Sequence, residues 1–228
     1  HDDKSSWVLL PHSSYLRDLR WYTKKQPAEL AAVLRNLDRT MTLLANSPHA
    51  RTIQAGFLHT EPHGMVAIDQ RGGVGRLQET RLYCYAQADL RTLHLLGIGD
   101  KYPSQQTSPA FTRRTLTQFL TMASLKTTPR RPAAPGRTYR SVDEMLRGHG
   151  YRRVAEAVRK LSIKTRLIDQ LILARVAAGL TQAQMAAKLR CSQSRISKIE
   201  DSQDADLSLG DIHAYARIVG LKLQLDLR

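Results

Sequence analysis

Four residues within six positions, Gln193, Ser194, Ser197 and Lys198, bring an amide, two hydroxyls and an ammonium to one stretch at helical spacing. Such groups can meet base edges in a DNA major groove, where a glutamine holds adenine through two hydrogen bonds. Ser192 just ahead of them is placed to cap a helix, and Gln182, Ser192 and Arg195 complete the candidate DNA-binding set. A second set lies upstream. In Thr80-Arg-Leu-Tyr-Cys-Tyr85, strand alternation puts Arg81, Tyr83 and Tyr85 on one face and Leu82 and Cys84 on the other. Leu93-His-Leu-Leu-Gly-Ile-Gly-Asp-Lys-Tyr102 then reads as an apolar strand whose glycine turn presents Asp100, Lys101 and Tyr102. His59, His63 and His94 could shuttle protons, as imidazoles do near neutral pH, although a lone histidine such as His94 between two leucines is more often a satisfied core residue than a catalyst.

Weaker signals have plainer explanations. Arg71-Gly-Gly-Val-Gly-Arg76 lacks the Gly-Lys-Ser/Thr ending of a nucleotide loop and reads as a hairpin turn. His59 and His63 have metal-like spacing, but Pro62 disfavours a helix there and no third ligand is apparent, so neither metal nor cofactor is expected. Arg113 with Arg114 and Arg152 with Arg153 could track a phosphate backbone, although solvated helix faces are the default.

These residues need folds to hold them. The chain has 228 residues, enough for two compact units. With 42% hydrophobic residues it can form cores, and no apolar run approaches the ~20 residues of a membrane span. Its 35 Lys and Arg against 20 Asp and Glu give a net charge of +15, which points to nucleic acid rather than acidic metabolites. Two cysteines far apart exclude a disulfide framework and suggest reduced thiols in the cytoplasm. The stretch 126–136 holds three prolines without hydrophobic periodicity, so residues 126–137 read as a linker between units at 1–125 and 138–228.

The first unit begins with Ser13 and Ser14 capping a helix from about Tyr15 to Lys24. Pro27 then opens an amphipathic helix to Ala45 carrying Leu30, Val33, Leu34, Leu37, Met41 and Leu44. β-prone pieces near Ile53 to His59, Met65 to Asp69, Arg81 to Tyr85 and Leu93 to Ile98 predict a small, mostly antiparallel sheet, and Phe111 to Leu125 predicts a closing helix. In the second unit Ser141 and Glu144 form a capping box, and Tyr151 to Ala178 holds one or two long helices. Short helices then run to Gly220, and Leu221 to Leu227 alternates as a terminal strand would. The fold class is therefore α+β, with a mixed first unit and a helical second one.

Gly179 to Glu200 reads as two helices joined by a tight turn. Thr181 caps the first, Met185, Ala186 and Leu189 face inward, and Ile196 and Ile199 return the second to the same core. The stretch from about 168 to 220 resembles the Xre, or phage-repressor, helix-turn-helix family, carried by Leu180-Thr-Gln182, Ser192-Gln193 and Ile196-Ser-Lys-Ile-Glu200. The resemblance implies two-fold dimers on operator half-sites about one helical turn apart, with Gln182 bracing Gln193. Arg190 stands where the family commonly has glycine, at a turn that left-handed backbone strains. Residues 7–125 resemble the RelE/HigB toxin superfamily in element order, in the strand bearing Arg81 and in Lys101 at the end of the last strand.

The toxin resemblance implies metal-independent cleavage of messenger RNA on the ribosome. Arg81 would bind phosphate, Lys101 would serve as a second cation or proton donor, and Tyr102 would stack on a base or orient the phosphate. His94 is the candidate proton carrier. Together the two resemblances imply a fused toxin–antitoxin protein of the HigBA kind. Its nuclease half would be held latent by helices from Arg140 to Leu161 or by a neighbouring subunit, while its second half binds operator DNA, likewise as a dimer. Two alternatives stand beside it: a transcription regulator whose first unit is an inactive oligomerisation or sensing module, and a repressor with an unrelated ligand-sensing domain.

Overall fold

A computed structural model describes residues 6–46, 53, 55–61, 65–70, 77–100 and 136–224. The fold is α+β. Strand β1 (Val8–Pro11) leads into α1 (Ser13–Lys25) and α2 (Pro27–Ala45), followed by β2 (Leu58–Glu61), β3 (Met65–Gln70), β4 (Thr80–Gln87) and β5 (Thr92–Asp100). The sheet order is β1-β5-β4-β3-β2, with β1 parallel to β5 and every other pair antiparallel. The edge strand β1 was not anticipated. Four residues of Val-Leu-Leu-Pro carry little signal, and Pro11 fits because a strand end at the sheet edge tolerates a missing N–H.

Local corrections follow from tertiary contacts. The predicted strand from Ile53 shortens to Leu58–Glu61, with a turn at Gly56 and Phe57. Ser13 and Ser14 lie inside α1 rather than capping it; His12 precedes the helix, and the Ser14 hydroxyl donates to the Leu96 carbonyl at 2.6 Å. Leu96 stands in a bulge where the β4–β5 register shifts between Tyr83 and Cys84. As predicted, Leu82 and Cys84 are buried while Arg81, Tyr83 and Tyr85 sit half-buried on the other face. Helices α1 and α2 cover the apolar face, through Tyr15, Leu19 and Tyr22 and through the predicted Leu30, Val33, Leu34, Leu37, Met41 and Leu44.

After the proline-rich stretch the chain returns to the first half. Tyr139 exchanges both backbone hydrogen bonds with Leu9, at 2.7 and 3.0 Å, extending the sheet beyond β1 by one residue. Helix α3 (Val142–Gly148) starts at Ser141, whose Oγ accepts from the Glu144 N–H, while the Glu144 carboxylate accepts from the Arg140 N–H, so the capping box is offset by one residue. The predicted long helical stretch is two helices, α4 (Arg152–Ile163) and α5 (Arg166–Ala177). Helix α4 packs along α2 through Val154, Ala155 and Val158. Residues 140–161 therefore cover α2, on the side of the sheet away from Arg81.

Helices α6 (Gln182–Leu189), α7 (Gln193–Asp201) and α8 (Leu209–Ile218) complete the chain, with a 3-10 turn at Asp204–Asp206. Residues 221–224 form no strand, and the rest of the predicted terminal strand lies outside the described residues. So do Lys101, Tyr102, His63, Arg71 to Arg76, and the predicted helix from Phe111 to Leu125. One apolar core runs through both halves, from Leu9 and Leu34 to Met185 and Tyr215. No helix among the described residues is long and apolar enough to cross a membrane.

Candidate nucleic-acid interface

Local chemistry builds the helix pair. Thr181 and Gln184 form a reciprocal capping box at the start of α6, at 3.1 and 2.8 Å. That helix ends at Arg190, which adopts left-handed backbone with φ 53° and ψ 44°, and Cys191 N–H bonds back to the Ala186 carbonyl. Ser192 then caps α7 by accepting the Arg195 N–H at 3.2 Å. Met185, Ala186, Ile196 and Ile199 are buried between the helices, whereas Leu189 is half-buried. Gln193, Ser194, Arg195 and Lys198 are exposed and Ser197 half-exposed. Because residues three and four apart share a helix face, Gln193, Ser194, Ser197 and Lys198 form one reading surface. Arg195 leans away from it, donating to Asp211 at 2.8 Å.

Gln182 does not brace Gln193. Its side chain turns inward and donates to Glu200 at 2.8 Å. Glu200 is fully buried and also receives Arg175 through Nε at 2.6 Å and Nη2 at 3.1 Å, and the Tyr215 hydroxyl at 2.6 Å. Burial opposes the charge on Arg175, but Glu200 and Tyr215 raise its pKa nonetheless. Burial and Glu200 raise that of Tyr215 as well. The network ties α5, α6 and α8 to the end of α7, which fixes the angle at which the reading face is presented. Sequence reading named Gln182 but missed Arg175, Glu200 and Tyr215. An arginine among Leu171, Ile172 and Val176 was the available signal, since an arginine on an apolar helix face needs an acid facing it.

The candidates in the first half are placed differently from expectation. Arg81 is held by carboxylates: Nε and Nη2 bond Asp69 at 2.6 and 2.9 Å, and Nη1 bonds Glu61 at 2.8 Å. Burial alone would raise the Asp69 pKa, but His59 and Arg81 hold it well below the usual carboxylate range. The bond to Asp69 in turn raises that of Arg81. A guanidinium neutralised in this way is a poor phosphate clamp until a carboxylate lets go. His94 hydrogen-bonds His12 at 3.0 Å and Gln87 at 3.0 Å, and burial, helped by His12, pushes its pKa down to about 4. It lies opposite Tyr85, four residues along β4 from Arg81, so the two share a face but stand about 13 Å apart. His59 approaches Asp69 at 3.3 Å. Among the described residues no cluster of three or more His, Cys, Asp or Glu could hold a metal ion.

The first half reaches the helix pair. Ala55 to Thr60 lies beside α7, and the two border an open cleft of about 670 Å³ lined by His59, Thr60, Gln193, Ser194 and Lys198. Residues 166–227 match the family model of a helix-turn-helix domain, while no curated protein and no solved structure matches the chain. The C-terminal part of the protein is thus a helix-turn-helix domain of the DNA-binding kind, with α6 and α7 as its helix pair.

Proposed function

We propose that the protein is a DNA-binding regulator built as a fused toxin–antitoxin protein, whose second half represses its own operator as a two-fold dimer and whose first half is a latent messenger-RNA endonuclease. The observation that carries the DNA reading is the set Gln193, Ser194, Ser197 and Lys198 on one face of α7, with the Glu200 network holding that helix from behind. Support for the toxin reading is the element order in the first half: a short strand, two helices on one face, and an antiparallel run of strands bearing Arg81. The carboxylate clamp on Arg81 favours a second reading, in which the first half has lost catalysis and serves oligomerisation or sensing.

Gln193→Ala tests the DNA half. A bidentate glutamine–adenine contact discriminates by about 1–3 kcal/mol, so the variant should lose preference at one base pair of a selected duplex while keeping its salt-dependent nonspecific affinity. A sequence preference identical to the parent's removes α7 as the reading helix.

A further inference from the structure

The DNA-reading face of α7 has a neighbour already. At Gly56 an added Cβ would lie 2.8 Å from the Ser197 Oγ and 3.3 Å from the Asp201 carboxylate, so the turn meets α7 closely enough that a side chain there would have to displace the Ser197 hydroxyl. Ser197 is one turn on from Gln193, in the row that would enter a major groove. That groove is about 12 Å wide, and its phosphate walls stand close to a helix lying in it. A duplex seated on Gln193 and Ser194 would enter the open cleft that Ala55 to Thr60 borders, with that turn standing against one wall of its groove.

Buried polar contacts fasten this seam. Arg39 on α2 is almost wholly buried, with Nε 2.5 Å from Asp169 on α5 and Nη2 donating to the Glu200 carbonyl at 3.1 Å. Its guanidinium lies 4.4 Å from the centre of the Phe57 ring, beside Gly56. One arginine of the first half thus holds α5, the end of α7 and the turn that abuts the reading face. Asn36 anchors α2 in turn, donating to the Asp69 carbonyl at 2.7 Å.

We propose that the 55–60 turn, backed by Arg39, is a docking surface for the DNA-reading face of α7 in the same chain, so that closing this seam and binding duplex DNA exclude one another. This rests on the DNA-binding reading of α7. The closed seam lowers apparent DNA affinity by the fraction of molecules that are open, and DNA in turn draws the first half away from α7.

A reversible lock tests the proposal on the full chain: Gly56→Cys with Ser197→Cys, in a Cys191→Ser background. The approach suits a disulfide, whose β-carbons lie about 3.5–4.5 Å apart. On oxidation a bond within one chain should form, and affinity for short duplexes of random sequence should fall about tenfold or more, recovering on reduction. A bond that fails to form, a bond between two chains, or an oxidised protein that binds as tightly as the reduced one each overturns the proposal. The bond reports the seam and the reduced protein reports the DNA reading, so the two fail separately. If the bond forms but the reduced protein binds no duplex, the DNA reading falls and takes the exclusion with it. Independently, Gly56→Leu should wedge the seam and tighten duplex binding; an unchanged affinity counts against the seam as a competitor.

Discussion

His94 and Arg81 show what a strand pattern reveals and what it hides. The alternation of Arg81, Tyr83 and Tyr85 against Leu82 and Cys84 was legible because side chains in a strand change sides at every step. That Asp69 stands opposite Arg81, or that His94 meets His12, depends on register and on a strand eighty residues away, which no local pattern contains. The burial of His94 has a measurable consequence. In the unfolded chain its pKa returns to about 6.5, so between there and about 4 the unfolded state binds more protons than the folded one. The contribution of neutral His94 is therefore complete above pH 6.5 and lost as pH falls toward 4. Discounted for the half-exposed ring, the difference is about 1–2 kcal/mol. Asp18 works the other way, because burial raises it to about 6 and its protonation favours the fold as pH falls. Comparing urea midpoints of the parent and His94→Gln from pH 7 down to about 4.5 removes the Asp18 contribution, which both proteins share. The variant should lose less stability on acidification, and parallel profiles would rule out the histidine as the source.

At the scale of elements, the sequence was most readable where a helix carries its own start signal. Thr181, Ser192 and Ser141 all sit at helix starts because their partners are within four residues, and Pro27 opens α2 because its fixed φ suits a first turn. Ser13 and Ser14 misled because the chain arrives at α1 from β1 and Ser14 finds an acceptor on β5 instead. Arg190 was readable as a strained turn, and the structure places it in left-handed backbone. An L-residue pays roughly 1–2 kcal/mol there, and glycine gives back part of that through its greater freedom in the unfolded chain. Arg190→Gly should therefore stabilise the protein by about 0.5–1 kcal/mol, read as a higher urea midpoint with an unchanged slope. Equal or lower stability would mean that the arginine side chain supports the turn in a way its backbone does not reveal.

For the whole molecule, composition and the proline-rich stretch suggested two units meeting at a linker, but the packing is more entangled. Tyr139 pairs with β1, and α3 and α4 lie on α2, so residues 136–163 are part of what covers the first half. A cut after Leu125 would strip Val154, Ala155 and Val158 from α2, and a failure to cleave RNA would then say little about catalysis. A chain ending at Ile163 keeps that cover while removing α5 to α8 and the closed seam. If the first half is a latent nuclease, residues 1–163 should cut translated message and the full chain should not. Arg81→Ala in the fragment should then lose about 10²-fold or more in rate, the scale of removing one group that stabilises transition-state charge. Glu61→Ala should raise the rate by freeing one arm of the guanidinium, Nη1, while Asp69 still orients it. A fragment with a single cooperative thermal transition that leaves message intact establishes the other reading, in which Arg81 serves only to knit three strands through Asp69 and Glu61.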